Sequence, residues 1–148
     1  MDPPRRGCLR AIDARKRGDT TKTAEAWRVG GEDFGASISS VAVHEGLVYA
    51  TELDGYLHCL ELETGKRAAK QDLKAGIWGA PLVADGKVYV QTADGDIYVY
   101  SASRELKLLA KNSLPEIGNG NPVAAGGTLY FTGGEAGSKL YAIAEGTR

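Results

Sequence analysis

The residues able to do chemistry in this 148-residue chain are few and scattered. Its two histidines are His44 and His58. Neither has a cysteine or histidine partner at zinc-site spacing, so His44 reads as a turn residue and His58 as a surface or half-buried strand residue. Cys8 and Cys59 show neither C-x-x-C spacing nor the density of a disulfide-stapled domain. A bridge between them is one reading, and a half-buried thiol on each of two strands is the plainer one. Asp94-Gly95-Asp96 looks like part of a calcium loop, but it lines up with Asp54-Gly55-Tyr56, so turn chemistry explains it. Gly118-Asn119-Gly120-Asn121 lacks the strand-then-helix setting of a phosphate loop, and there is no G-x-S-x-G framing of a nucleophile. No catalytic residue and no metal ligand is assigned.

Composition narrows the remaining classes. The formal net charge is -1, and the basic clusters Arg5/Arg6 and Arg15-Lys16-Arg17 are too short for a nucleic-acid footprint. Apolar runs such as Ala80-Pro81-Leu82-Val83-Ala84 fall far short of the roughly 20 residues that span a bilayer. The first residues, Met1 to Cys8, have arginines but no apolar stretch behind them, so no secretory signal is read there; either the mature chain begins here or its true start lies upstream. Twenty glycines, seven tyrosines and one methionine point to many short strands joined by tight turns.

Those strands repeat. Residues 41–66, VAVHEGLVYATELDGYLHCLELETGK, return as PLVADGKVYVQTADGDIYVYSASRELK at 81–107, with a period of about 40 residues. Gly46 maps to Gly86, Val48-Tyr49 to Val88-Tyr89, Asp54-Gly55 to Asp94-Gly95, and Leu57 to Ile97. Residues 122–148 repeat the unit again, with Leu129-Tyr130 in the Val-Tyr place and extra residues before Leu140-Tyr141. Upstream, Cys8 to Asp13 match the later half of the unit. The units are approximately 8–40, 41–80, 81–121 and 122–148. Within one unit, strands are expected at 41–43, 47–51, 56–61 and 67–73, with Asp54-Gly55 in the central hairpin: a four-stranded antiparallel meander. The second strands are apolar on both faces, Val88 and Val90 alternating with Tyr89, and Leu129 and Phe131 with Tyr130. A sheet with one wet face does not need that. Sheets covered on both sides do, so the expected fold is all-β, a partial β-propeller of four-stranded blades, about three to four per chain.

The pattern G-x-V-Y-[apolar]-x-T-x-D-G-x-[LI]-[YH], followed by Glu63-Thr64-Gly65-Lys66, resembles the repeat of the pyrroloquinoline-quinone-like (PQQ-like) propellers. That superfamily includes quinoprotein alcohol dehydrogenases and the propeller lipoprotein of the outer-membrane β-barrel assembly machinery. The resemblance implies a ring of about seven or eight blades and a periplasmic or other extracytoplasmic location. It also implies that a tryptophan on the outer strand docks onto the next blade. Trp27 matches it, while Ala69 and Lys111 take the corresponding places later, so docking is expected to be weaker there. Quinone-binding relatives carry adjacent cysteines and a calcium held by Glu and Asn. Cys8 and Cys59 are far apart, so no cofactor is expected; PQQ with calcium belongs to the alternative reading.

A partial ring leaves apolar blade faces bare, so either a longer chain or a homo-oligomer is expected to cover them. The half unit at 8–29 and the incomplete last unit are candidates to complement one another. The resemblance to quinone-dependent relatives implies that the segments before each inner strand face the central channel or its mouth, which offers Ser39, Trp78, Asn119 and Asn121 as binding residues, Trp78 through its indole. The bland reading of Trp78 is a filler of the channel or of a blade interface. Trp27, Asp54, Gly55, Asp94 and Gly95 are expected to be structural. The polar loop Gly18-Asp19-Thr20-Thr21-Lys22-Thr23 reads as a solvated connection or a recognition loop. The leading functional expectation is a non-enzymatic scaffold for a protein or peptide partner. The alternatives are a portion of a PQQ-dependent dehydrogenase and a ligand-sensing propeller domain of a longer protein.

Overall fold

A computed structural model describes residues 6–116, 118–135 and 138–145. Among these every regular element is a β-strand, and no helix is long and apolar enough to cross a membrane. The strands form four antiparallel sheets in chain order. The first pairs β1 (Arg6–Ile12) with β2 (Glu25–Gly35). The second runs β3 (Ala42–His44), β4 (Leu47–Thr51), β5 (Tyr56–Glu61), β6 (Arg67–Asp72), and the third β7 (Leu82–Ala84), β8 (Lys87–Gln91), β9 (Asp96–Ser101), β10 (Leu108–Ser113). The fourth holds β11 (Val123–Ala125), β12 (Thr128–Gly133) and β13 (Lys139–Ala144). Each sheet is a meander, as short strands joined by tight turns require. The short strands β3, β7 and β11 lie next to one another, which makes them the inner edge of the array.

The Asp-Gly hairpins are three-residue loops. Gly55 N donates to Glu52 O at 3.0 Å and Glu52 N to Tyr56 O at 2.9 Å, and only Gly55, at φ 93°, enters the left-handed region. Thr92 to Asp96 repeat this, with Gly95 at φ 88°. The turn is therefore a type I turn closed by a left-handed glycine, and Asp54 and Asp94 are its exposed corners. Glycine is needed for a second reason: a Cβ on Gly55 would stand 2.5 Å from Ala75 O.

Alternation along the middle strands gives the second and third sheets two covered faces each. Ala50, His58 and Leu60 look toward the first sheet and pack with Phe34, Leu9 and Val29. Leu47, Tyr49, Leu57 and Cys59 look the other way, onto Val88, Val90 and Tyr100 of the third sheet. From there Ile97 and Val99 meet Phe131, Leu129 and Tyr141 of the fourth. Four sheets thus stack face to face through three apolar joints, which is how blades of a propeller are held together.

A bulge at the start of each outer strand sets which residue reaches across a joint. Ala11 pairs with Trp27, Cys59 with Ala69, and Val99 with Ala110, so the third place belongs to Ala110 and not to Lys111. Trp27 Nε1 donates to Leu62 O at 2.7 Å, and a Cβ on Gly65 would stand 2.5 Å from Trp27 Cε3. At the next joint the sizes are exchanged. Ala69 replaces the indole, and Leu106, in the turn position equivalent to Gly65, is fully buried in the cluster that Ala69 packs against. Leu106 adopts φ 46°, a conformation that costs a side-chain-bearing residue about 1–2 kcal/mol. The second joint is filled from the opposite side, so the place the tryptophan leaves is occupied by Leu106.

The expected complementation of the two incomplete sheets does not follow from their strands. β1 corresponds to β5 and β13 to β5 as well, so the two-stranded and three-stranded sheets both supply the third strand. Joined, they would duplicate it.

Candidate protein-binding rim

Each outer strand is followed by a strap that leads to the next inner strand: residues 36–41, 73–81 and, among the described residues, 114–116 and 118–122. The straps are tied to the hairpin loops beneath them, Leu53 N donating to Ala36 O at 2.8 Å and Ala93 N to Gly76 O at 2.7 Å. They are also tied to each other. Ser39 Oγ and Thr51 Oγ1 are 2.6 Å apart, and Thr51 Oγ1 donates to Gly79 O at 3.2 Å. One residue on, Ala80 N donates to Asn121 Oδ1 at 2.7 Å. Gly79 has no room for a Cβ beside Gly120 O. All four residues singled out at the mouth, Ser39, Trp78, Asn119 and Asn121, therefore lie on segments joined by one run of hydrogen bonds. Asn119 itself is exposed on the third strap.

This framework holds two large apolar side chains in water. Trp78 is 49% exposed, and Ile38, in the same place of the preceding strap, is 65% exposed. Trp78 belongs to none of the three blade joints among the described residues. Val41 at the end of the first strap and Val43 and Val123 on the inner strands add to this apolar surface, all exposed. Ser39 and Asn121 are engaged with the straps, so contact around Ile38 and Trp78 would rest mainly on apolar surface.

Elsewhere the chemistry-bearing residues are engaged locally. Asp96 pairs with Lys111 at 2.7 Å and accepts from Ser113 Oγ, and the bonds to Lys111 and Ser113 hold its carboxyl below the usual range. Asp19 accepts from Thr21 N and Thr21 Oγ1 within the exposed loop near residue 20, an Asx turn. Both cysteines are free; Cys8 is exposed and Cys59 fully buried, where burial pushes its thiol up to about 11. Among the described residues no three His, Cys, Asp or Glu side chains gather as a metal-ligand set.

One buried pair was not legible from the sequence. His58 is fully buried, not on the surface or half-buried as expected, and its Nε2 lies 2.5 Å from Glu52 Oε1. Burial lowers the His58 pKa against the pull of Glu52, and Arg67 and Lys70 lower it further. For Glu52, burial would raise the carboxyl, and the bond from His58 with help from the Gly35 amide and Lys70 brings it below its ordinary value. The neutral imidazole therefore donates Nε2–H to a carboxylate.

Fold and joints define a portion of a β-propeller. Residues 5–147 match the family model of outer membrane protein assembly factor BamB, and the chain belongs to this family of PQQ-like propeller repeats. No curated protein matches. Among solved structures, BamB from Moraxella catarrhalis is similar with a TM-score of 0.67 and 20% identity, over 82% of this chain and 37% of that one. The quinohemoprotein alcohol dehydrogenase ADHIIG from Pseudomonas putida HK5 is similar with a TM-score of 0.61 and 22% identity, over 74% and 24%. That from Comamonas testosteroni reaches a TM-score of 0.58 at 19% identity, over 67% and 17%. The chain thus spans a little over a third of the BamB structure and about a quarter or less of the dehydrogenases.

Proposed function

We propose that this chain is a non-enzymatic binding module that holds a protein or peptide partner on the strap rim. The observation that carries the reading is the pair Ile38 and Trp78: large apolar side chains kept in solvent by straps that are hydrogen-bonded to the hairpin loops and to one another. An isolated exposed hydrophobe needs no explanation, but two in the same repeat position on a rigid frame fit an anchor for apolar partner side chains. Membership in a family named for outer-membrane protein assembly supports a protein partner and an extracytoplasmic, periplasmic location.

The test is site-specific photocrosslinking in the native host, with the photoreactive residue at position 38, 78 or, as a control on the exposed loop, 17. Crosslinks to one common protein from 38 and 78, absent from 17 and abolished at 38 by Trp78→Ala, support the reading. No adduct from either rim position, or equal adducts from 17, would reject it. The dehydrogenase alternative predicts retention of pyrroloquinoline quinone and calcium through dialysis.

A further inference from the structure

The joint between the first and second sheets differs from the others in its chemistry. Ala50 pairs with His58 as Val90 pairs with Tyr98, so the second joint carries Tyr98 and Thr92 where the first carries His58 and Glu52. Tyr98 spans its joint to donate to Leu73 O at 3.2 Å. His58 makes no such bond across its joint, its one partner being Glu52 of its own sheet. The Phe34 ring of β2 lies 5.1 Å from its imidazole, tilted by 52°, and its Nδ1 is buried with no hydrogen-bond partner. An acceptor nitrogen left bare beside an aromatic ring is tolerable while it carries no proton; a proton there would be a buried donor and a buried positive charge with nothing to receive either.

The surroundings offer no relief. From β6, Arg67 and Lys70 are the facing charges, and both oppose a cation on His58. Arg67 is turned toward Asp33, bonding its main-chain oxygen, and Lys70 lies over the Tyr56 ring. The loop after β4 supplies Glu52, already bonded to Nε2. β1, β2 and β4 present Leu9, Val29, Phe34 and Ala50. Among the described residues Glu52 is the one anion in contact with the ring, and it lies on the nitrogen that already holds a proton.

We propose that this joint is an acid-sensitive hinge: protonation of His58 at Nδ1 releases the first sheet, β1 and β2, from the second while the stack from β3 to β13 keeps its fold. The sign follows from the proton count. The closed joint holds neutral His58 and the open one lets it ionise, so opening takes up one proton. Closure is fully favoured above pH 6.5, the ordinary histidine value, and weakens as pH falls below it. The closed-to-open ratio drops by up to about tenfold per pH unit in that range. Glu52, held below its ordinary 4.5, adds its own loss only at lower pH, so the window from 6.5 to 4.5 belongs to His58.

Trp27 reports on the same joint, since it sits on Gly65 and Leu62 across it. The experiment follows its emission and acrylamide quenching in the whole chain carrying Trp78→Phe, from pH 8 to 4.5, beside far-UV circular dichroism. Expected are a red shift and a rise in quenching between pH 6.5 and 4.5, with most of the strand signal retained. Adding His58→Gln, which cannot gain the charge, removes the transition. Should that variant fail to fold, His58→Tyr with Glu52→Thr imports the pair of the second joint and removes it equally. Emission that stays flat to pH 4.5, a transition unaltered in the variants, or loss of the whole strand signal in the same step would each overturn the proposal.

Discussion

Replacing Gly65 with alanine places a methyl group where the Trp27 ring now lies, 2.5 Å from Cε3. The ring has to leave. Two costs follow: alanine at φ 69° carries about 1–2 kcal/mol of left-handed strain, and evicting a half-buried indole together with its bond to Leu62 O removes about 2–3 kcal/mol, below the full truncation range for a core tryptophan. Gly65→Ala should therefore cost about 3–5 kcal/mol and Trp27→Ala about 2–3 kcal/mol. In the double variant the indole is lost once, not twice, so the total stays near about 3–5 kcal/mol, and the coupling is about 2–3 kcal/mol. Guanidinium unfolding followed by far-UV circular dichroism at constant pH gives all three numbers without relying on Trp27 emission. Costs that add to within about 0.5 kcal/mol would show that the indole does not dock on Gly65, and the blade-to-blade contact would have to be redrawn.

Other perturbations test neighbouring parts of the frame. Gly46→Ala meets open space at φ 76° and should cost only the strain of about 1–2 kcal/mol, whereas Gly55→Ala must also displace the Ala75 peptide and should lower Tm well beyond it. Leu106→Ala should cost about 2–5 kcal/mol by calorimetry despite its unfavourable φ, because its side chain is fully buried and replaces the missing indole of the second joint; a loss below 1 kcal/mol would deny it that role. Thiol reactivity should split sharply. Bonds from Arg10 and Arg28 hold the Cys8 thiol below its usual value on an exposed surface, while Cys59 is pushed up to about 11. A colorimetric disulfide reagent at pH 7.5 should titrate one thiol quickly and the second only on unfolding.

The repeat made the strands legible, because a sheet covered on both faces needs apolar residues at consecutive positions and the chain supplies them three times over. The same property hid His58. In a strand with two wet or half-wet sides, alternation marks a polar residue as exposed; where both sides are covered, position in the strand says nothing about burial, and only its neighbour Glu52 in space reveals the pair. The exchange of Trp27 and Gly65 for Ala69 and Leu106 was equally out of reach. The compensating residues lie on different blades, and a bulge shifts the third equivalent to Ala110, one place from where a simple count puts it. At the rim, exposure of Trp78 could be guessed from its place before an inner strand, but the ties from Ser39 through Thr51 to Gly79 depend on the straps meeting, which no local pattern encodes.

Everything from the rim to the hinge assumes that four small sheets stand face to face. Nuclear Overhauser contacts in the labelled 148-residue chain test this most directly. The fold predicts cross-peaks between Phe34 and His58 rings, between Val90 methyls and Leu47 or Leu57, and between Ile97 methyls and the Phe131 ring. Cross-peaks confined within each sheet, with none across the three joints, would contradict it.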